Sequence, residues 1–507
     1  MLTLAKIFQN GMTFQRDKKI RIWGKSEEDD WLRVYLNDGI LLDTKIPSGD
    51  FEIFLPSQKA VENAVLRLET KFQTIVLDRI DIGEVWIAGG QSNMEFSMIY
   101  DQDRESYNHS YMDQHLRFYD VAEFAYDPEQ ERLLKDTSHW DRWMCCDGQD
   151  TKWFSAVGFH FAKRLRDELN VPVAVVGCNW GGTTASTWMD EKILSEDEIL
   201  KVYIEDYETA VASRSEKKYE RVEHIKRKIG FGSQMEATED PGLMNVHDKP
   251  TTWVEKLAMK IIWKYSLKGH YDPNRPGALY HMMLSQIAGF AARGVIWYQG
   301  ESDEHHAEIY GRLFEKMIGC WRDVWREELP FIFVQLAPWE EWLAMNGLNY
   351  PVVRQQQQIV EDTVPNTYMA SIMDLGLRYD IHPKNKKPVG NRLALLALDN
   401  IYEKHQKYAR APRMKQIIRE GKNIDVEFLY CEDGLVGDLN LSDLFNICQN
   451  GKRIPYLASI KGKHVKISCH GLMDGPASIS FGYRDYLVMT LKNKGGLTAR
   501  PFAPINI

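Results

Sequence analysis

Apolar residues along this chain change their spacing twice. Up to about residue 80 they come in short runs, at 19–23, 31–36, 51–55, 64–70 and 73–78, broken by turn formers such as Asn37-Asp38-Gly39 and Ser48-Gly49-Asp50. Short runs between turn formers predict a small β-sandwich. From residue 81 the rhythm lengthens. A β-branched and aromatic run at 84–88 leads into Gly89-Gly90; helical periodicity follows at 154–170 and near 280–292, with apolar strands at 173–177, 294–297, 331–335 and 368–373 and a helix starting near Lys387. Alternating strands and helices predict a doubly wound parallel sheet. Beyond about residue 411 short strands return, at 423–429, 463–469 and 477–481. The expected architecture is α/β: a β-sandwich over 1–80, a parallel-sheet domain over 81–410, and a second β module over 411–507.

One segment interrupts the alternation. Residues 191–270 are charged and helix-prone, then rich in Gly, Pro and Asp, and read as an insert whose mixed charges suit a solvated helical face. It could also form a lid over a substrate.

In open parallel sheets, ligands bind outside the carboxyl ends of the strands. Four loops fall there. Gly89-Gly90-Gln91-Ser92 frees the backbone for a sharp turn that would present one serine. Trp180-Gly181-Gly182-Thr183 offers backbone N–H groups unshielded by side chains, Trp297-Tyr298-Gln299-Gly300-Glu301 places a neutral carboxamide, and Asp380-Ile381-His382-Pro383 joins a carboxylate to an imidazole. A nucleophile, a base and hydrogen-bond donors are what acyl transfer by a serine requires. Gly90 to Met94 reads G-x-S-x-M and fails the nucleophile elbow of α/β-hydrolases.

The blocks GGQSNME, NWGGT, GVIWYQGESD and DIHPKNKKPVGNRLAL, in this order, resemble the signature blocks of the sialate O-acetylesterase family of SGNH-type hydrolases. That family of carbohydrate esterases also holds bacterial acetylxylan esterase-like members. The resemblance extends to VPVAVVGCNWGGTTASTWM and to LTARPFAPI, and is weakest in the insert. It implies an SGNH-type fold and a serine esterase without metal or cofactor. Ser92 would be the nucleophile and His382 the base; the oxyanion would be held by the Ser92 amide, a Gly181 or Gly182 amide and the Gln299 carboxamide, with Asn93 and Glu301 bracing the loops. Two positions depart from the general pattern. The acid expected three residues before the histidine is Tyr379, so Asp380 becomes the choice to orient His382, with Asp374 as rival or a Ser-His dyad as the remaining option. Gln299 stands where asparagine is common.

Charge and cysteines narrow the rest. A net charge of -9 gives no footprint for nucleic acid or an anionic membrane, and no run of apolar residues suits a membrane span. Seven scattered cysteines without CxxC spacing read as free thiols, and with no signal segment visible the chain is expected to be cytoplasmic. No His and carboxylate cluster at metal-ligand spacing is visible. The expected substrate is a small O-acetylated sugar or oligosaccharide: 9-O-acetyl sialate by the family name, acetylated xylo-oligosaccharide as the alternative. A catalytically inactive carbohydrate-binding protein is the competing class, whereas a peptidase or lipase has no support. Trp180, Trp297, Trp339 and Trp342 are candidates for stacking on sugar, and Arg275 and Arg378 for clamping a sialate carboxylate.

Overall fold

The structure, a computed structural model, describes residues 1–107, 111–126, 140–229, 248–264, 267–438 and 441–507, with backbone alone for 226–229 and 261–264. Its organising element is one strand of seventeen residues, Thr74–Gly90. Up to Arg79 the strand is mostly exposed and pairs antiparallel with Val61–Glu69; from Ile80 every residue is buried. The second half lies parallel between Val173–Asn179 and Gly294–Tyr298. A half-exposed edge tolerates alternation, whereas a strand covered on both faces needs an apolar run. The expected boundary at residue 80 therefore falls inside a continuous strand.

Around it the sheet order is Trp143–Cys146, Asp113–Asp120, Val173–Asn179, Thr74–Gly90, Gly294–Tyr298, Phe331–Val334 and Thr367–Ala370. All these pairings are parallel except that of the edge strand Trp143–Cys146. The chain leaves the central strand, builds one side of the sheet, then crosses over to build the other. Its two neighbours thus diverge at the carboxyl end of Thr74–Gly90 and open a crevice there. The α/β class is what the alternation predicted, but the strands Asp113–Asp120 and Trp143–Cys146 were not foreseen. The helix expected near 280–292 is shorter, ending at Ile287. The last strand stops at Ala370 instead of running to residue 373.

Helix Ala156–Leu169 packs on Lys387–Asn400, and Tyr310–Trp325 packs on Tyr350–Thr363. The first is set by its ends: the Ser155 hydroxyl accepts from the Gly158 N–H at 3.1 Å, and Asn170 closes it in the left-handed conformation. One buried core runs from Leu2 to Leu398, so the N-terminal strands share it with the parallel sheet. A second core runs from Ile424 to Phe502 and takes in Met373. The insert forms helices Val202–Ala212, Glu216–Ile229 and Trp253–Lys264, while most of its Gly/Pro/Asp-rich loop lies outside the described residues. All seven cysteines are free of disulfides.

Candidate active site

The crevice is where the central strand turns. Gly90 sits at φ +136°, and a Cβ there would lie 2.2 Å from the Tyr298 carbonyl oxygen on the neighbouring strand. Only glycine allows that approach. Two residues on, Ser92 opens a one-turn helix, Ser92–Glu95, and is half-buried. The loop after Ala370 returns over it. His382 Nε2 lies 2.9 Å from Ser92 Oγ, which joins nucleophile and base in one hydrogen bond across 290 residues. Burial, with the Lys386 ammonium nearby, pushes the imidazole down to about 3, so it stands neutral and able to accept a proton. The Trp342 ring meets the imidazole edge-on at 5.3 Å.

The two candidate acids are in different situations. Asp380 is buried, and its Oδ1 accepts from the His382 backbone N–H at 2.8 Å and lies 4.0 Å from His382 Nδ1. Its Oδ2 and the imidazole Nδ1 are both buried without a partner among the described residues. Burial pushes Asp380 up to about 6. Asp374, the rival, is spent: Arg392 grips it with two bonds of 2.7 and 2.8 Å, and the Thr498 hydroxyl donates at 3.2 Å.

Two of the four expected oxyanion donors are engaged elsewhere in this structure. The Gln299 side chain is fully buried, and its amide donates to the Thr183 carbonyl at 3.1 Å and to Asp303 Oδ2 at 2.5 Å, while its oxygen accepts from the Tyr310 hydroxyl at 3.1 Å. Both its N–H groups are committed, so Gln299 ties strand end to loop and has nothing to offer an oxyanion in this arrangement. The Gly181 N–H donates to Glu95 Oε2 at 2.5 Å. The Ser92 and Gly182 amides carry no such bond among the described residues, and Gly182 is exposed at φ +72°.

Beneath Ser92 runs a buried polar chain. The Lys386 ammonium donates to Asn93 Oδ1 at 2.5 Å; Asn93 Nδ2 donates to Glu301 Oε1 at 2.7 Å and to the Ile381 carbonyl at 3.1 Å. Asn93 and Glu301 thus hold the serine turn to the histidine loop, as expected of bracing residues. Lys386, Glu95 and Asp303 were not singled out from sequence, although all three lie inside the quoted blocks. A polar residue at a position that folding buries is the signal that would have found them. Of the aromatic candidates, Trp297 and Trp339 are buried and Trp180 and Trp342 partly exposed. Arg378 forks onto Glu340 at 2.7 and 3.1 Å; Arg275 donates to the Ala125 carbonyl at 3.2 Å, and its Nε has no partner among the described residues. Folding brings together two groups able to hold a metal among the described residues, Asp190 with Glu191 and His281, and Glu216 with Glu220 and His270. Neither shares a residue with the Ser92 site.

Residues 260–399 match the family described as carbohydrate esterase, sialic acid-specific acetylesterase. The chain is similar to the sialate O-acetylesterases. The sialate O-acetylesterase of Mus musculus is 24% identical over 404 residues, covering 75% of this chain and 66% of its own length. That of Rattus norvegicus is 25% identical over 421 residues, covering 78% and 69%. The chain spans about two thirds of the length of these sialate O-acetylesterases. A solved carbohydrate acetylesterase from Xanthomonas citri has the same fold, with a TM-score of 0.75 over 99% of each chain at 24% identity. Among the described residues no helix is long and apolar enough to cross a membrane.

Proposed function

We propose that this protein is a carbohydrate O-acetylesterase of SGNH type that releases acetate through a serine acyl-enzyme. The observation that carries the reading is the 2.9 Å bond between Ser92 Oγ and His382 Nε2 at the crevice of the sheet. Ser92 Oγ attacks the ester carbonyl and His382 Nε2 takes its proton. The oxyanion of the tetrahedral intermediate is met by the Ser92 and Gly182 amides, and by Gly181 once Glu95 yields it. Collapse expels the sugar oxygen, which takes the proton back from Nε2. A water activated by the same imidazole then hydrolyses the acetyl-serine. Asp380 holds the imidazolium by a small shift that closes the gap to Nδ1; hydrogen bonds of this kind are often long without substrate.

The names of the curated relatives point to an O-acetylated sialate, and the 9-O-acetyl ester is the first substrate to test. Of the two candidate arginines, Arg378 is taken by Glu340, which leaves Arg275 to meet a sialate carboxylate. Neutral acetylated xylo-oligosaccharides are the second substrate class, in keeping with the carbohydrate acetylesterase that shares the fold. The test is acetate release from both substrates beside p-nitrophenyl acetate. Hydrolysis of none of the three would reject the esterase in favour of an inactive binding protein, and a preference for butyrate or longer esters would reject the sugar.

A further inference from the structure

A cleft of about 350 Å³, lined by neither Ser92 nor His382, runs along the loop whose Gly181 abuts Ser92; its volume is within the range of ~300–1,000 Å³ usual for small-molecule sites. One wall is the exposed Gly182, next to Gly181, where a Cβ would stand 3.2 Å from that of Ser92. A second wall is Glu301, bonded to Asn93 beside the serine. The facing wall comes from the insert: Asp206 and Tyr207 of helix Val202–Ala212, and Lys268. We propose that this cleft is the binding site for the sugar whose acetyl group reacts at Ser92, and that the insert decides which sugars enter.

Three observations carry the proposal, which rests on the esterase reading. Glu301 is 7% exposed, and while its Oε1 is held by Asn93, its Oε2 is buried without a partner among the described residues. A buried carboxyl oxygen left unbonded is destabilising until something supplies a hydrogen bond. A sugar hydroxyl in the cleft would do so. The lining is also of the right kind, since Asp206, Tyr207, Lys268 and Glu301 present hydrogen-bonding groups and not a slot for a long acyl chain. Finally, the segment that directly follows the insert is tied to the reacting loop. Asn274 Nδ2 donates to the Gly182 carbonyl at 3.0 Å, and its Oδ1 accepts from the Thr184 N–H at 2.9 Å. One side chain thereby registers the sugar wall against the loop that meets the oxyanion, which is the rigidity that positioning of a substrate requires.

The test compares kcat/KM on an O-acetylated sugar with kcat/KM on p-nitrophenyl acetate, which carries no sugar. The sugar is acetylated xylo-oligosaccharide or 9-O-acetyl sialic acid, whichever the wild type turns over faster. In Tyr207→Ala, and separately in Glu301→Gln, the ratio of the two is expected to fall about tenfold, the loss of roughly one hydrogen bond to substrate, through KM for the sugar. A folding defect scales both substrates and leaves the ratio alone. A ratio within twofold of wild type in both variants overturns the proposal. Wild-type turnover of p-nitrophenyl acetate with none of either sugar overturns it while sparing the esterase reading; turnover of neither rejects that reading itself.

Discussion

The buried stretch of Thr74–Gly90 carries a charged cluster near its start and the reactive cluster just past its end, and the two are built on opposite terms. Near the start, Glu84 is satisfied on all sides: Arg16 donates at 2.6 Å, Arg293 at 2.8 and 3.2 Å, Gln15 at 3.1 Å and Tyr402 at 2.9 Å. Burial alone would push this carboxyl up, but Arg293, Arg16 and Gln15 outweigh it and hold Glu84 below the ordinary carboxylate range. At the far end Asp380 Oδ2, His382 Nδ1 and Glu301 Oε2 are buried and without a hydrogen bond among the described residues. The first arrangement anchors a fold. The second keeps unmet hydrogen-bonding capacity beside Ser92, where a reaction can use it. The same contrast divides Asp374, saturated by Arg392 and Thr498, from Asp380 six residues on.

The comparison breaks most sharply at Ser92. Ser92→Ala is expected to lower kcat on the order of 10⁶-fold, as loss of the nucleophile does in a comparable triad, with an unchanged melting curve; near-normal turnover by the folded variant would remove the site from consideration. Next come the two aspartates. Asp380→Asn should lower kcat by about 10⁴-fold, whereas Asp374→Asn should leave kcat near wild type and lower the melting temperature, because it leaves Arg392 without its counter-charge. Small losses of kcat in both would mean a Ser-His dyad. Glu84→Gln belongs with Asp374: it strands Arg16 and Arg293 in a buried cluster, for which about 3–5 kcal/mol of stability is the usual loss. Denaturant melts measure this, and a drop in kcat without a drop in stability would contradict the assignment of Glu84 to the fold.

A smaller effect concerns pH. With His382 neutral down to about 3 and Asp380 raised to about 6, Asp380 is the one of this pair that changes charge first on acidification. The acid limb of kcat/KM should therefore lie near pH 6, with activity lost as Asp380 gains its proton, and should move lower in Asp380→Asn as the plateau falls. A limb that stays near ~6.5, the value of free imidazole, in both enzymes would show His382 titrating as it does in water. The smallest expected effect is none: treatment with a chelator should leave turnover intact, since neither metal-capable group contributes a residue to the site.

What could be read in advance follows from how local each signal is. Gly89-Gly90 before Ser92, and Asp380 two residues before His382, are patterns of adjacent residues, and these four loops do meet at one end of the sheet. Gln299 misled because its commitments form only on folding: Thr183 lies 116 residues away, Asp303 sits on the helical turn Glu301–Ile309, and Tyr310 opens the helix after it. The acid was ambiguous for a like reason, since Arg392 and Thr498 reach Asp374 only through tertiary contact. Strand Asp113–Asp120 escaped notice because its polar residues, at Asp113, Gln114, His115 and Arg117, hide the apolar run. The division at residue 80 rested on a change of pattern that is real. It marks where one strand passes from a half-exposed edge to full burial, not where a domain ends.

That unbroken strand bears on how the protein comes to be folded. Its pairing partners are Thr13–Gln15 and Val61–Glu69 before it and Val173–Asn179 and Gly294–Tyr298 after it, so the element that carries the serine closes loops both short and more than 200 residues long. Pairings of such separation form late and slowly. The serine turn can acquire its shape only when Gly90 meets Tyr298, a contact that a chain emerging from its N-terminus reaches after more than half its length. A fragment cut at residue 80 would lose the antiparallel half of the strand along with its partners.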